Sequence, residues 1–175
     1  MFKSRVVISS VVAVLFTAFG VYFSQLHAEK SPISEVLYTS SLAPVPAAAN
    51  GATVALAEYR NKVLVVNFWA TWCAPCVQEM PELSALQTEL AAKKISFIGI
   101  GIDSPDSMAA FAKAYKISYP LFVGGLSGTQ LSTELGNKAG GLPFTVILNK
   151  SGEIVKTYRG RLDIAQVRKD ILAVK

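Results

Sequence analysis

The chain has 175 residues, of which 51% are hydrophobic and 17% charged, with a formal net charge of +5. That length suits one domain of ordinary size plus a short appendage, and the apolar content is enough for a core that needs no disulfide staple. Lys3 and Arg5 supply two of the 17 basic residues, and most of the rest are scattered or in short pairs such as Lys93-Lys94. This excludes the concentrated basic stripe with interleaved aromatics that marks a nucleic-acid binder.

Lys3 and Arg5 precede an uncharged apolar run from Val6 to Phe23. The run is longer than the about 7–15 residues of a cleaved signal's apolar region and just long enough to cross a bilayer. Positive residues ahead of such a run hold the N-terminus inside and send the rest across. Residues 1–28 therefore read as a signal anchor or signal peptide, with a retained anchor in 6–23 favoured over cleavage after Leu26-His27-Ala28. Polar residues 29–35 read as a linker, and 36–175 as the domain.

Within that domain, Val36–Leu42 is expected as a short strand, followed by a Pro/Ala loop and a second short strand at Thr53–Leu56. Val63–Ala70 (VLVVNFWA) is nearly continuous β-branched and apolar sequence, the pattern of a central strand buried on both faces. A helix is expected after Cys73, with Pro75 in its first turn and Pro81 kinking it, to about Ala92. Ile95–Ile102 reads as a second buried strand and Ser107–Tyr115 as a helix capped by the preceding Asp-Ser-Pro-Asp. A short strand at Pro120–Val123 and a short helix at Thr129–Leu135 follow. Phe144–Leu148 and Ile154–Tyr158 form a hairpin across Asn149-Lys150-Ser151-Gly152, and Asp163–Ala173 is a final amphipathic helix. The order is a parallel βαβ joined to an antiparallel ββα, an α/β fold with a central mixed sheet covered by helices.

The two cysteines, Cys73 and Cys76, are three positions apart. A bond between them closes too small a loop to add much chain-entropy stability, so in an oxidising compartment it points to chemistry rather than stapling. Cys73 falls just past a buried strand at the start of a helix, where open α/β sheets place their sites. Unpaired N–H groups and the positive end of the macrodipole there favour the reactive thiolate. Cys73 is thus the expected exposed nucleophile and Cys76, one turn deeper, the resolving thiol. Structural zinc needs four ligands, but no other cysteine exists and the single histidine, His27, sits at the membrane junction. No metal is expected. Phe68 and Trp69 are expected in the core, and Trp72 half-exposed beside the nucleophile.

The segment VLVVNFWATWCAPC, then Val77-Gln78-Glu79-Met80-Pro81, then Gly141-Leu142-Pro143-Phe144-Thr145, closely resembles the TlpA/ResA group of membrane-anchored, thioredoxin-like oxidoreductases of bacterial envelopes. The resemblance spans residues 36–175. It implies a thioredoxin fold, a dithiol–disulfide cycle at Cys73/Cys76 with no cofactor beyond that disulfide, and a cis bond before Pro143. It also implies that Pro143 faces the cysteines and that the backbone around it, at Leu142, pairs with the substrate; Trp72, beside the nucleophile, is read as shielding the disulfide or contacting substrate. Asn67 stands where thioredoxins proper carry a buried aspartate, and Glu79 matches the group's CxxCxxExP pattern. That match implies that Glu79 transfers a proton or tunes the cysteines; the alternative is an ordinary exposed helix glutamate.

The implied partners are protein disulfides and a membrane dithiol donor, in a periplasm, with apocytochrome c or copper-site cysteines as targets. Three alternatives stand beside this. A peroxiredoxin-like thiol peroxidase is one, although only Thr71 of its threonine–proline motif is present. A copper-delivery module is another, although it needs CxxxC and a distal histidine. A redox-inert binding module is the third.

Overall fold

The structure, a computed structural model, describes residues 34–45 and 53–174; the expected anchor at 6–23 and the start of the linker lie outside them. Among the described residues no helix is long and apolar enough to cross a membrane. The elements in chain order are helix α1 (Glu35–Thr39), strands β1 (Ser41–Val45) and β2 (Val54–Ala55), a 3-10 turn at Leu56–Tyr59, and β3 (Val63–Trp69). Then come α2 (Ala74–Leu90) with a 3-10 turn at Ala91–Lys93, β4 (Ile95–Gly101), α3 (Pro105–Ala114), β5 (Leu121–Val123) and α4 (Gly125–Glu134). The hairpin β6 (Phe144–Leu148) and β7 (Ile154–Arg159) and helix α5 (Ile164–Ala173) close the chain. The strands form one sheet in the order β2-β1-β5-β4-β3-β6-β7. β3–β4 and β4–β5 are parallel, whereas β6 runs antiparallel to β3 and pairs Phe144 with Phe68.

Every residue of β3 is buried, and the two-residue strand period sorts them between two cores. Val63, Val65 and Trp69 join Leu83 and Leu86 of α2, Met108 and Phe111 of α3, and Val167 and Ile171 of α5. Leu64, Val66 and Phe68 face the other way, onto Ile98, Ile100, Phe144 and Val146, under Leu37, Leu56 and Leu131. Each fully buried Leu, Val or Phe in these layers contributes about 1.5–3 kcal/mol by leaving water. Asn67 falls on the α2 face by the same alternation.

Three local expectations change. Residues 36–39 are helix, and the strand begins only at Ser41. Val36–Leu42 (VLYTSSL) has no clear period of either kind and suits either form over so few residues. What decides is tertiary: Glu35 is salt-bridged to Arg60, and Leu37 and Tyr38 are buried on one side of the turn. Thr53–Leu56 keeps strand geometry for only two residues before tightening into 3-10. Helix α4 starts four residues earlier than expected, at Gly125, because Gly124 lets the chain press against the sheet. Its N–H donates to Gly101 O at 2.8 Å, and a Cβ there would stand 2.7 Å from Ile100 Cγ2.

Candidate active site

β3 ends at Trp69, and the chain turns through Ala70-Thr71-Trp72 before α2 begins at Ala74. Cys73 is the N-cap of α2, one position outside the helix rather than in its first turn. Its Sγ accepts the N–H of Cys76 at 3.4 Å, the seat a serine or aspartate oxygen takes in other helices. Pro75 fits the first turn because its missing N–H would have no intrahelical partner there. Cys73 and Cys76 form a disulfide, S–S 2.00 Å.

In this oxidised form Cys73 is not the exposed residue expected: it is 6% exposed and Cys76 0%. Its sulfur is bonded to Cys76 and caps the Cys76 N–H. Trp72 is more open than expected, at 70% exposed, while Phe68 and Trp69 are wholly buried.

The approach turn is held by Asp103, at the end of the neighbouring parallel strand. Its Oδ2 accepts the Thr71 N–H at 3.0 Å and the Thr71 hydroxyl, and its Oδ1 accepts the Ser104 N–H at 2.7 Å. Burial works to raise the Asp103 pKa, but these three donors outweigh it and hold the carboxyl below its ordinary value. The Thr71 hydroxyl is therefore committed to Asp103 rather than to a cysteine.

Beneath the disulfide, Glu79 lies on the α2 face that Cys76 also occupies, three residues on. It is not a solvated helix glutamate. It is 0% exposed. Oε1 accepts Asn67 Nδ2 and Oε2 accepts the Leu162 N–H, each at 2.9 Å. Burial pushes its carboxyl up to about 7, against the downward pull of the Leu162 and Asn67 donors and of the Arg161 charge. Asn67 Nδ2 also donates to Thr145 Oγ1 at 2.9 Å, its opposite number on β6, while Asn67 Oδ1 has no partner.

On the other side of β3, the Leu142–Pro143 peptide is cis. Because Phe144 pairs with Phe68, this bond lies at the same end of the sheet as the cysteines, and Leu142 packs against the core cluster that includes both. The loop ahead of it is exposed and turns at Gly140 (φ 66°), where a side chain would be strained. Asn137 pins it from below, donating to Gly141 O and to Ser132 Oγ at 2.9 Å each. Sequence reasoning did not nominate Asp103, Thr145, Leu162 or Asn137. A carboxylate ending a buried parallel strand was the one signal available for any of them.

Residues 38–171 match the Redoxin family. The chain belongs to that family. Among its relatives is the thiol-disulfide oxidoreductase ResA of Halalkalibacterium halodurans, 29% identical over 71% of this chain and 69% of that protein. ResA of Geobacillus thermodenitrificans is 25% identical over 99% of this chain and 98% of its own length.

Solved structures carry the same fold. A secreted thiol-disulfide isomerase from Corynebacterium glutamicum superposes with a TM-score of 0.67 at 23% identity, covering 77% of this chain and 81% of that one. A secreted Mycobacterium tuberculosis disulfide oxidoreductase gives 0.66 at 18%, covering 80% and 98%. Within the Redoxin family, this chain's relatives are thiol–disulfide oxidoreductases, and its own cysteine pair occupies the CxxC position of that chemistry.

Proposed function

We propose that this thiol–disulfide oxidoreductase works outside the cytoplasm, anchored by residues 6–23, as a reductant of protein disulfides. The observation that carries the reading is Cys73 at the N-cap of α2, its sulfur facing the helix's free N–H groups. Those groups favour negative charge on the outer thiol. In the reduced enzyme, the Cys73 thiolate attacks one sulfur of a substrate disulfide. A Cys73–substrate mixed disulfide forms, and the other substrate sulfur leaves as a thiolate and takes up a proton. The Cys76 thiol then gives its proton towards Glu79 and attacks Cys73 Sγ. The second substrate thiol leaves, and the Cys73–Cys76 disulfide holds the two electrons' worth of oxidation. A carboxyl titrating near 7 can accept and return that proton at neutral pH.

Trp72 and the Leu142–Pro143 backbone are the proposed contacts for the substrate chain. No cation flanks Cys73 in the sequence Thr71-Trp72-Cys73-Ala74-Pro75, which removes one device of strong oxidants and supports the reducing direction. In this reading, electrons arrive from a membrane dithiol carrier and leave to oxidised apocytochrome c or to copper-site cysteines of an oxidase under assembly.

Cys76→Ser tests the scheme. Expressed in the envelope, the variant is expected to accumulate covalent partners at Cys73 that a reductant releases, identifying the substrates. A Cys73→Ser control accumulates none. Equal yields from the two variants would contradict the assignment of nucleophile and resolving thiol.

A further inference from the structure

The pole of the domain opposite the dithiol is built from lysine. Lys62 precedes β3, Lys93 and Lys94 precede β4, and Lys150 sits in the β6–β7 turn. The strand registers bring them together: Val63 pairs with Ile95, and Leu64 with Leu148. All four are exposed. They line one open cavity of about 510 Å³, whose other walls are Asn61, Val63, Ile95 and Ser96, with no carboxylate among them. None of the four makes an ion pair among the described residues; the salt bridges there use Arg60, Lys156, Arg161 and Arg168. The nearest acid in the turn, Glu153, is engaged by Asn149 and Ser151. Lys94 also takes a left-handed backbone (φ 57°), a position that favours glycine or asparagine, so a lysine is held where the chain resists one.

The N-terminal end of the domain lies at this same pole. At the start of α1, the hydroxyl of its N-cap Ser34 donates to Gly152 O in the same β6–β7 turn that carries Lys150. Only ten residues, from Ser24 to Ile33, separate Ser34 from the end of the apolar run at Phe23. The chain therefore enters the domain at the lysine pole.

We propose that the Lys62/Lys93/Lys94/Lys150 cavity binds the anionic phospholipid head groups of the membrane in which the chain is anchored. Clustered lysines beside a membrane tether are attracted by a negative lipid surface within a Debye length of it. Docked in this way, the seven residues of β3 hold the dithiol roughly 20 Å further from the lipid, presented to soluble substrates. The inference rests on the anchored reading given above, and its test separates the two.

The full chain is reconstituted into vesicles of phosphatidylcholine alone, or with one third phosphatidylglycerol, and its lysines are acylated with a membrane-impermeant reagent. Flotation with the neutral vesicles reports the anchor. Acylation of Lys62, Lys93, Lys94 and Lys150 is expected to slow about three- to tenfold in the anionic vesicles and to recover at high salt. Lys138, exposed near the Gly141 loop at the other end, should not change. Fluorescence of Trp72, exposed beside the dithiol, should be quenched by a lipid-bound quencher less in the anionic vesicles than in the neutral ones, and equally in both for a chain carrying Lys62→Gln, Lys93→Gln, Lys94→Gln and Lys150→Gln. Flotation with no lipid-dependent protection overturns the head-group site and leaves the anchor standing. Protection without flotation on neutral vesicles supports the site and overturns the anchor. Protection by a single-stranded oligonucleotide but not by phosphatidylglycerol overturns the proposal.

Discussion

Glu79→Gln is expected to slow disulfide exchange about a hundredfold at neutral pH, the low end of what a positioned acid–base group contributes. It should also remove the inflection near pH 7 from the pH–rate profile. The same variant has a second, independent signature in stability. Burial raises the Glu79 carboxyl to about 7 in the folded chain from an ordinary 4.5. Between those values the folded state holds a proton that the unfolded chain has lost, so wild-type stability falls as pH rises through that window. The loss is complete above the folded value and amounts to on the order of 3 kcal/mol.

A glutamine carries no such cost. Its oxygen keeps the Leu162 N–H, and a turned-over Asn67 amide places Oδ1, the acceptor that lacks a partner in the wild type, where it accepts from the new NH2 and from the Thr145 hydroxyl. Urea unfolding at pH 5 and pH 8 should therefore show a pH-dependent fall in the wild type and a nearly flat Glu79→Gln. Parallel curves for the two proteins would mean that Glu79 is solvated, against its complete burial here.

Trp69→Ala is expected to cost about 3–5 kcal/mol, the range for emptying a buried indole site. Trp69 is 0% exposed, 5.0 Å from the Phe111 ring between centroids, and close enough to Gly99 that a Cβ there would lie 3.2 Å from Nε1. Neighbours packed this tightly can only partly collapse into the space. A domain of this size has a total of about 5–15 kcal/mol to lose, so the variant is marginal or unfolded at 37 °C. Trp69→Phe keeps the ring and discards an indole N–H that has no partner, so it should cost less than about 1.5 kcal/mol. Chemical denaturation of both variants checks the pair. Similar losses for Ala and Phe would show that the cost is not cavity formation.

What the sequence made legible, and what it hid, follows from the range of the interactions. β3, β4, β6 and α2 were readable because long apolar runs, a proline after the cysteine and turn residues act within a few positions. Helix α1 was misread as strand because five residues hold too little periodicity, and the Arg60 that pairs with its Glu35 is 25 positions away. The start of α4 was missed because Gly124-Gly125 reads as punctuation, whereas Gly124 is there for a close approach to the sheet.

At the site, the cysteines and Pro143 announced themselves by motif, and Glu79 by its offset from Cys76. Its environment did not: Leu162 is 83 positions from Glu79, and Thr145 is 78 from Asn67. Nothing local encodes those partners. The outer sulfur's low exposure was equally invisible, because it depends on how the turn before α2 packs rather than on residue type.

Reactivity of the reduced Cys73 thiol is the most direct test of the whole scheme. Stopped-flow alkylation at pH 7 should modify Cys73 first and at least about tenfold faster than the same cysteine in the urea-unfolded chain, with Cys76 protected until the protein unfolds. A folded rate no higher than the unfolded one would contradict the claim that the start of α2 activates this sulfur.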